Sequence, residues 1–273
     1  TLLKQKSLEI GSSIGENYNQ VAMMRSRLFE PHPWKMWTYA WNHREKGILL
    51  PSFIGGFFLL AIGIPYGITN RVSEFIGWTA FDPELPLDSS IPYIPVMNIA
   101  YFSFYIYYVL IPLLARTEVQ RKCAIIFSQR LFVVTLPVFL MFLLLPVEVD
   151  LRSEVEGEDI FTTILSLIHG VDQPYNAWTS LHVGHSLCVV LSIPLVYNIN
   201  KFAHAALWIA WLLLSISTMT TQQHYLFDVI TGILFALLAH YKFIRPVVTK
   251  CIQGEYDDAF QELYANSVET TSG

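Results

Sequence analysis

Six long apolar runs constrain this chain more than anything else in it. They lie at about 47–66, 93–115, 123–146, 181–197, 202–220 and 225–246, and the first, GILLPSFIGGFFLLAIGIPY, carries no Asp, Glu, Lys or Arg. In a helix, about 20 such residues match the roughly 30 Å hydrocarbon core of a bilayer. The composition agrees, with 53% hydrophobic residues, 14% charged residues and a mean hydropathy of +0.42 over 273 residues. The expected fold class is therefore all-α, a polytopic membrane protein with six transmembrane helices.

Six spans place both termini on one side, and the distribution of Lys and Arg chooses it. Lys35, Arg44, Lys46, Arg116, Arg121, Lys122, Lys201, Lys242 and Lys250 fall on the side of the amino terminus, whereas the opposite side holds Arg71 and Arg152. Both termini are expected to be cytoplasmic. Three parts follow: 1–46, an amino-terminal arm whose Trp- and Arg-rich segment from Val21 to Lys46 suits an amphipathic helix in the interface; 47–250, the six-helix domain; and 251–273, an acidic cytoplasmic tail with a short helix at Asp257 to Tyr264. A net charge of -5 and dispersed basic residues speak against a nucleic-acid surface. Cys123, Cys188 and Cys251 have no spacing that suggests a disulfide or thiolate metal site.

Two segments at the outer mouths of spans carry the candidate chemistry. In TQQHYLFDVITG, His224 and Asp228 are four residues apart and lie one above the other on a helix. The carboxylate can hold the proton of one ring nitrogen and leave the other free to attack. The start of the fourth span carries Ser180, His182 and His185 and faces the same water, so one histidine can attack phosphorus while another protonates the leaving oxygen. Helix amino termini there also favour a phosphate. No metal and no cofactor is expected.

SLHVGHS at Ser180 to Ser186 and HYLFD at His224 to Asp228 resemble the second and third signature motifs of the type 2 phosphatidic acid phosphatase superfamily, which includes lipid phosphate phosphatases and the sphingomyelin and inositol phosphorylceramide synthases. The resemblance runs best from about Pro83 to Pro246 and implies metal-free chemistry on lipid phosphates at a membrane surface. It implies His224 as nucleophile and Asp228 as its orienting carboxylate. Two frames compete for the acid. Thr179-Ser180-Leu181-His182 matches a Pro-Ser-Leu-His frame and gives the role to His182, while Gly184-His185-Ser186 matches a Gly-His-Ser frame and gives it to His185. Tyr175, Asn176, Ala177 and Trp178 resemble the lead of the first frame, which is preferred; His185 is then a supporting or lipid contact.

The departures bear on substrate. Thr218 stands six residues before His224, where ordinary family phosphatases have an arginine, and there is no clean Lys-x6-Arg-Pro. Fewer guanidinium donors suit a monoanionic diester better than a dianionic monoester. The remaining candidates for substrate contact are Arg152 in an outer loop, Arg130 inside the third span, Asn176, Thr218 and Asp88, whose loop resembles loosely the Pro-Pro-Leu-Pro-Asp of sphingomyelin-synthase-like members. The resemblance thus points to a lipid phosphotransferase, nearer the inositol phosphorylceramide and sphingomyelin synthases, that moves a phosphorylated headgroup through a phosphohistidine. Its partners are a phospholipid or lipid phosphate donor and a lipid alcohol or water acceptor. A lipid phosphate phosphatase and a non-enzymatic lipid or anion transporter or scaffold are the alternatives. The expected location is a bacterial inner membrane with the site facing the periplasm, or an organelle membrane with the site facing the lumen.

Overall fold

A computed structural model gives the fold; it describes residues 32–154, 157–170 and 172–271, though not the side chains at 153–154 and 265–271. The expected interfacial segment lies outside the described residues up to position 31. Nine helices organise the described chain: α1 Thr38–Asn42, α2 Leu49–Ile76, α3 Pro95–Leu114, α4 Glu118–Leu144, α5 Ile160–His169, α6 Leu181–Val196, α7 Lys201–Thr220, α8 Leu226–Ile252 and α9 Asp257–Thr271.

Five of these, α2, α3, α4, α7 and α8, are long and apolar enough to cross a membrane. The fourth expected span is the 16-residue helix α6, shorter than the other five, so five of the six expected spans are matched by length and composition. At 1.5 Å per residue it measures about 24 Å, short of the roughly 30 Å hydrocarbon layer. Its surroundings explain the shortness: Val183, Leu187, Cys188, Val189 and Val190 are almost wholly buried against other helices, so α6 matches protein rather than lipid. By contrast α8 exposes Ile230, Leu234 and Leu238 at helical spacing, and α2 exposes Leu60, Ile64 and Ile68. Apolar residues that stay exposed along one stripe of a long helix are a lipid-facing surface.

The first and last spans outrun their sequence limits. The extra outer turns of α2 are amphipathic, with Thr69 and Asn70 buried against the loops of the site, Ser73 buried against α4, and Ile68, Val72 and Phe75 exposed. Both α2 and α8 pass through a π-helical turn, at Leu59–Gly63 and His240–Ile244, just before Pro65 and Pro246. The wider turn makes room for a proline ring that would otherwise strike the carbonyl four residues back.

The chain ends of the bundle meet each other. Trp41 Nε1 donates to Phe260 O at 3.1 Å, and Lys122 joins Asp257 at 2.8 Å and Glu118 at 3.0 Å. The short helix expected at Asp257 to Tyr264 is the first half of α9, which packs on α1 through these contacts. At the other end, the loop segments 77–94, 145–154 and 172–180 cover the mouths of α6 and α8. Val147, Val149, Leu151, Ala177 and Tyr225 form a second, smaller apolar cluster there, with Phe81 and Trp178 against it.

Two glycines let α6 and α8 approach closely. A Cβ on Gly232 would stand 2.8 Å from Ser180 O, and one on Gly184 would stand 2.8 Å from Phe235 Cδ1 and 3.3 Å from Gly232 O. The backbone oxygen of Ser180 has no flexible side chain to yield, so the helices must separate. Overpacking of this kind costs about 1–3 kcal/mol. Gly232→Ala is therefore expected to lower the melting temperature in detergent and to reduce activity by moving His182 away from His224; an unchanged melt and rate would contradict this close approach.

Candidate active site

The turn before α8 sets the position of His224. Helix α7 ends in a Schellman motif, in which Gln222 N donates to Met219 O and Gln223 N to Thr218 O, each at 2.9 Å. Its left-handed residue is Gln222, at φ 58°, where glycine is usual. The strain, about 1 kcal/mol or somewhat more, is held by tertiary contact: Gln222 Nε2 donates to Ile91 O at 2.8 Å, and Ile94 N donates to Thr220 O at 2.8 Å. His224 N then also donates to Thr218 O, at 3.1 Å. Thr218 was expected at the substrate, but its hydroxyl donates to Ser215 O at 2.8 Å and its carbonyl serves the turn. It builds the backbone on which the histidine sits.

His224 and His182 are brought together across the two helix starts. His224 Nε2 lies 3.4 Å from His182 Nδ1, and His224 Nδ1 lies 3.5 Å from Asp228 Oδ2. Asp228 is fully buried; its Oδ2 accepts from Tyr225 N at 3.0 Å, and neither His224 Nδ1 nor Asp228 Oδ1 has a hydrogen-bond partner among the described residues. The 3.5 Å spacing is thus an ion-pair distance rather than a formed hydrogen bond, and contacts of this kind tighten when substrate binds. Ser180 caps α6, its Oγ accepting from Val183 N at 3.4 Å, while Ser180 N donates to Asp228 O at 3.3 Å. The cap of one helix is thereby tied to the carboxylate-bearing residue of the other. Phe104 and Tyr101 wall His182, with ring centroids 4.4 and 4.7 Å away.

His185 does not share this position. Its two ring nitrogens are engaged, Nδ1 with Tyr108 Oη at 2.9 Å and Nε2 with Thr135 Oγ1 at 2.8 Å, and the side chain is buried among α3, α4 and α6. One turn of helix carries it from the mouth into the bundle. Arg130 is likewise displaced from the role considered for it: it is buried on α4 and is not among the residues lining the recess described below. Asp88 is buried and spends both oxygens on backbone, Oδ1 accepting from Leu226 N at 2.7 Å and Oδ2 from Leu85 N at 2.8 Å. It is a cap for α8 supplied from another loop, because Tyr225 at the helix start has no short polar side chain to do so. Asp88→Ala leaves the N–H groups of Leu226 and Leu85 without their acceptor and is expected to cost about 1–2 kcal/mol. Thermal unfolding in detergent reads this as a lower midpoint, and an unchanged midpoint would show that the cap is dispensable.

Arg152, in contrast, shares a recess with the histidines. It lines that recess together with Tyr66, Tyr101, Asp172, Asn176, His182, Gln223 and His224. The loop that bears it is strapped by Val149 N to Pro174 O at 2.9 Å and by Asp150 N to Tyr225 Oη at 3.1 Å. Arg152 Nη1 donates to Asp172 O at 2.5 Å and Nη2 to Asp172 Oδ2 at 3.1 Å, which leaves Nε without a partner among the described residues. Asn176 holds the far wall, its Nδ2 donating to Tyr66 O at 2.9 Å and to Thr69 Oγ1 at 3.0 Å on the outer turns of α2. Asp172, Gln223 and His169 escape a reading of the sequence. Gln223 Nε2 donates to His169 Nε2 at 2.8 Å, and burial, together with the charge of Arg152, pushes the His169 pKa down to about 4, so the ring is neutral and can accept.

Among the described residues no group of three His, Cys, Asp or Glu side chains is arranged to hold a metal ion. What the site does assemble is a histidine pair, a carboxylate behind one histidine and a guanidinium in the same recess. Fold and site together define a helical integral membrane protein with a polar two-histidine centre at one mouth of its bundle.

A family model described as the PAP2 superfamily matches residues 74–242. The chain belongs to that superfamily, the type 2 phosphatidic acid phosphatases, and the match includes Arg152, His182, His224 and Asp228 while beginning after Tyr66 and Thr69. No curated protein and no solved structure matches significantly.

Proposed function

We propose that this protein is a lipid phosphotransferase that moves a phosphorylated headgroup from a phospholipid to a lipid alcohol. The observation that carries the reading is the facing pair, His224 Nε2 and His182 Nδ1 at 3.4 Å, with Asp228 behind His224 and Arg152 in the same recess. With the proton on Nδ1 toward Asp228, the Nε2 lone pair of His224 attacks phosphorus. The P–N bond forms, the P–O bond to the departing lipid alcohol breaks, and protonated His182 gives its proton to that oxygen. In the second half, neutral His182 takes the proton of the incoming alcohol as its oxygen bonds to phosphorus and the P–N bond breaks. Water in place of the alcohol makes the same centre a phosphatase.

Charge favours a diester over a monoester. Arg152 is the cation that lines the recess, and Asp172 already occupies its two terminal nitrogens. Such a centre supports one negative charge better than two. The sidedness of Lys and Arg supports placing both termini in the cytoplasm and this mouth on the outer or lumenal face, with a bacterial inner membrane as the membrane considered first. Labelled phospholipid incubated with the purified protein, with and without ceramide or diacylglycerol, tests the reaction: acceptor-dependent transfer product is expected. Release of headgroup phosphate alone, whatever the acceptor, would make the protein a phosphatase.

A further inference from the structure

Helix α5 divides its exposed side into an apolar and a polar strip. Thr162 and Leu165 are buried beneath it, whereas Ile160, Ile164 and Leu167 are 64, 40 and 70% exposed at i, i+4 and i+7. Thr163 and Ser166 are exposed as well. At 3.6 residues per turn the three apolar side chains fall within about 60° of one another, with both polar ones beyond them on the same flank. A helix surface split in this way offers one edge to lipid and the other to water.

The helix also lies level with the starts of the spans. Its first turn is joined to the start of α3: Asn98 Nδ2 donates to Phe161 O at 3.4 Å. Tyr93 Oη donates to Thr162 Oγ1 at 2.9 Å, because the Thr162 hydroxyl gives its own proton to Asp159 Oδ2 at 2.6 Å. Its last residue is joined to the turn before α8, where Gln223 Nε2 donates to His169 Nε2 at 2.8 Å. These two anchors share one height, since Ile94 N donates to Thr220 O and Gln222 Nε2 to Ile91 O, each at 2.8 Å. Ten residues standing along the bundle axis would instead part the ends by about 14 Å. So α5 runs across the mouth of the bundle, in the plane where the spans enter the bilayer. Val96 and Ile99 on the first turns of α3 are 54 and 59% exposed, so the apolar surface of a span begins where α5 is attached.

We infer that α5 is a bilayer-surface helix, docked in the leaflet on the side of the site with Ile160, Ile164 and Leu167 among the first acyl carbons and Thr163 and Ser166 in the headgroup layer. Its partner is the lipid surface as a whole. The stripe carries no polar group that would select one headgroup, and Glu158 and Asp159, exposed at its start, favour a zwitterionic surface over an anionic one. The inference is independent of the phosphotransfer reading: the docking holds or fails whatever chemistry His224 performs.

The test places a spin label on the full chain at one exposed position at a time, through Ile160→Cys, Leu167→Cys or Ser166→Cys, in phosphatidylcholine nanodiscs that hold one copy each. Cys123, Cys188 and Cys251 are buried, and the chain without an introduced cysteine is the blank. Collisions with oxygen, which concentrates among acyl chains, are compared with collisions with a water-soluble nickel chelate. Labels at 160 and 167 are expected to favour oxygen at a depth of about 5–10 Å, and the label at 166 to favour nickel. Nickel-favoured collisions at 160 and 167 would overturn the inference. So would an oxygen preference at 167 that appears only in discs holding two copies, because a second copy then covers the stripe. The unaltered protein is tested as well, by irradiation in discs whose phosphatidylcholine carries a diazirine near the glycerol end of one acyl chain. Adducts within residues 160–167 are expected, and adducts confined to the long spans would overturn the docking.

Discussion

His224→Ala is expected to reduce lipid turnover by about 10⁴-fold or more, the scale on which loss of a covalent nucleophile is felt. The size of the effect follows from the dependence of both half-reactions on Nε2: without it no phosphoenzyme forms, and water is left to attack an unactivated diester. His224 hangs from the Schellman turn by its backbone N–H, and that bond to Thr218 O survives the substitution. Folding is therefore expected to hold, which a melting curve in detergent checks alongside the rate. A variant that folds and retains turnover within tenfold of the parent would remove His224 from the chemistry.

The second large effect is expected at Arg152. Arg152→Ala removes the guanidinium that lines the recess and should lower kcat/KM by about 10² to 10³-fold, the cost of losing one preorganised donor to a developing charge. Arg152→Lys keeps the charge but not the fork that grips Asp172 through two nitrogens, and it should recover only part of the loss. Steady-state kinetics with one phospholipid donor separate the three proteins. Equal kcat/KM for Arg152→Ala and the parent would mean that another group neutralises the phosphate.

Much of the bundle was legible because lipid imposes one requirement on every span. The runs that became α3, α4 and α7 are predominantly apolar, with Arg130 the one Asp, Glu, Lys or Arg inside the three, and length identifies them. The outer turns of α2 were hidden because Thr69, Asn70, Arg71, Ser73 and Glu74 end the apolar run while the helix continues, one face turned to the loops. α6 reads as a span but is lined by protein, a difference that apolar composition does not carry. In the site, the nearness of His224 to Asp228 was legible from their spacing, but not its geometry: His224 lies before α8 and not on it, and the turn after α7 brings its ring to 3.5 Å from the carboxylate. The salt bridge from Arg152 to Asp172 joins residues 20 apart through irregular loops, and the Gln223 link to His169 spans 54, so neither has a local signature. Asp88 misled for a related reason: a carboxylate in an outer loop looks available for substrate, whereas the missing cap of α8 that consumes it is evident only once Leu226 and the loop are side by side.

The Schellman turn shows the same limit from the other direction. Glycine at its left-handed position would have announced the end of α7, but Gln222 stands there and is held by Ile91 O from another loop. Distant contacts thus stabilise a backbone that the local residues disfavour, and they do so immediately before the residue that carries the proposed chemistry.

The central claim is a covalent intermediate on His224, and trapping it is the most direct measurement. Rapid quenching in alkali of protein mixed with phospholipid labelled at phosphorus should give an acid-labile, base-stable phosphoprotein, with mass spectrometry placing the label on His224 and His224→Ala giving none. Full turnover under these conditions with no label on the protein, or with label that persists in His224→Ala, would contradict the account.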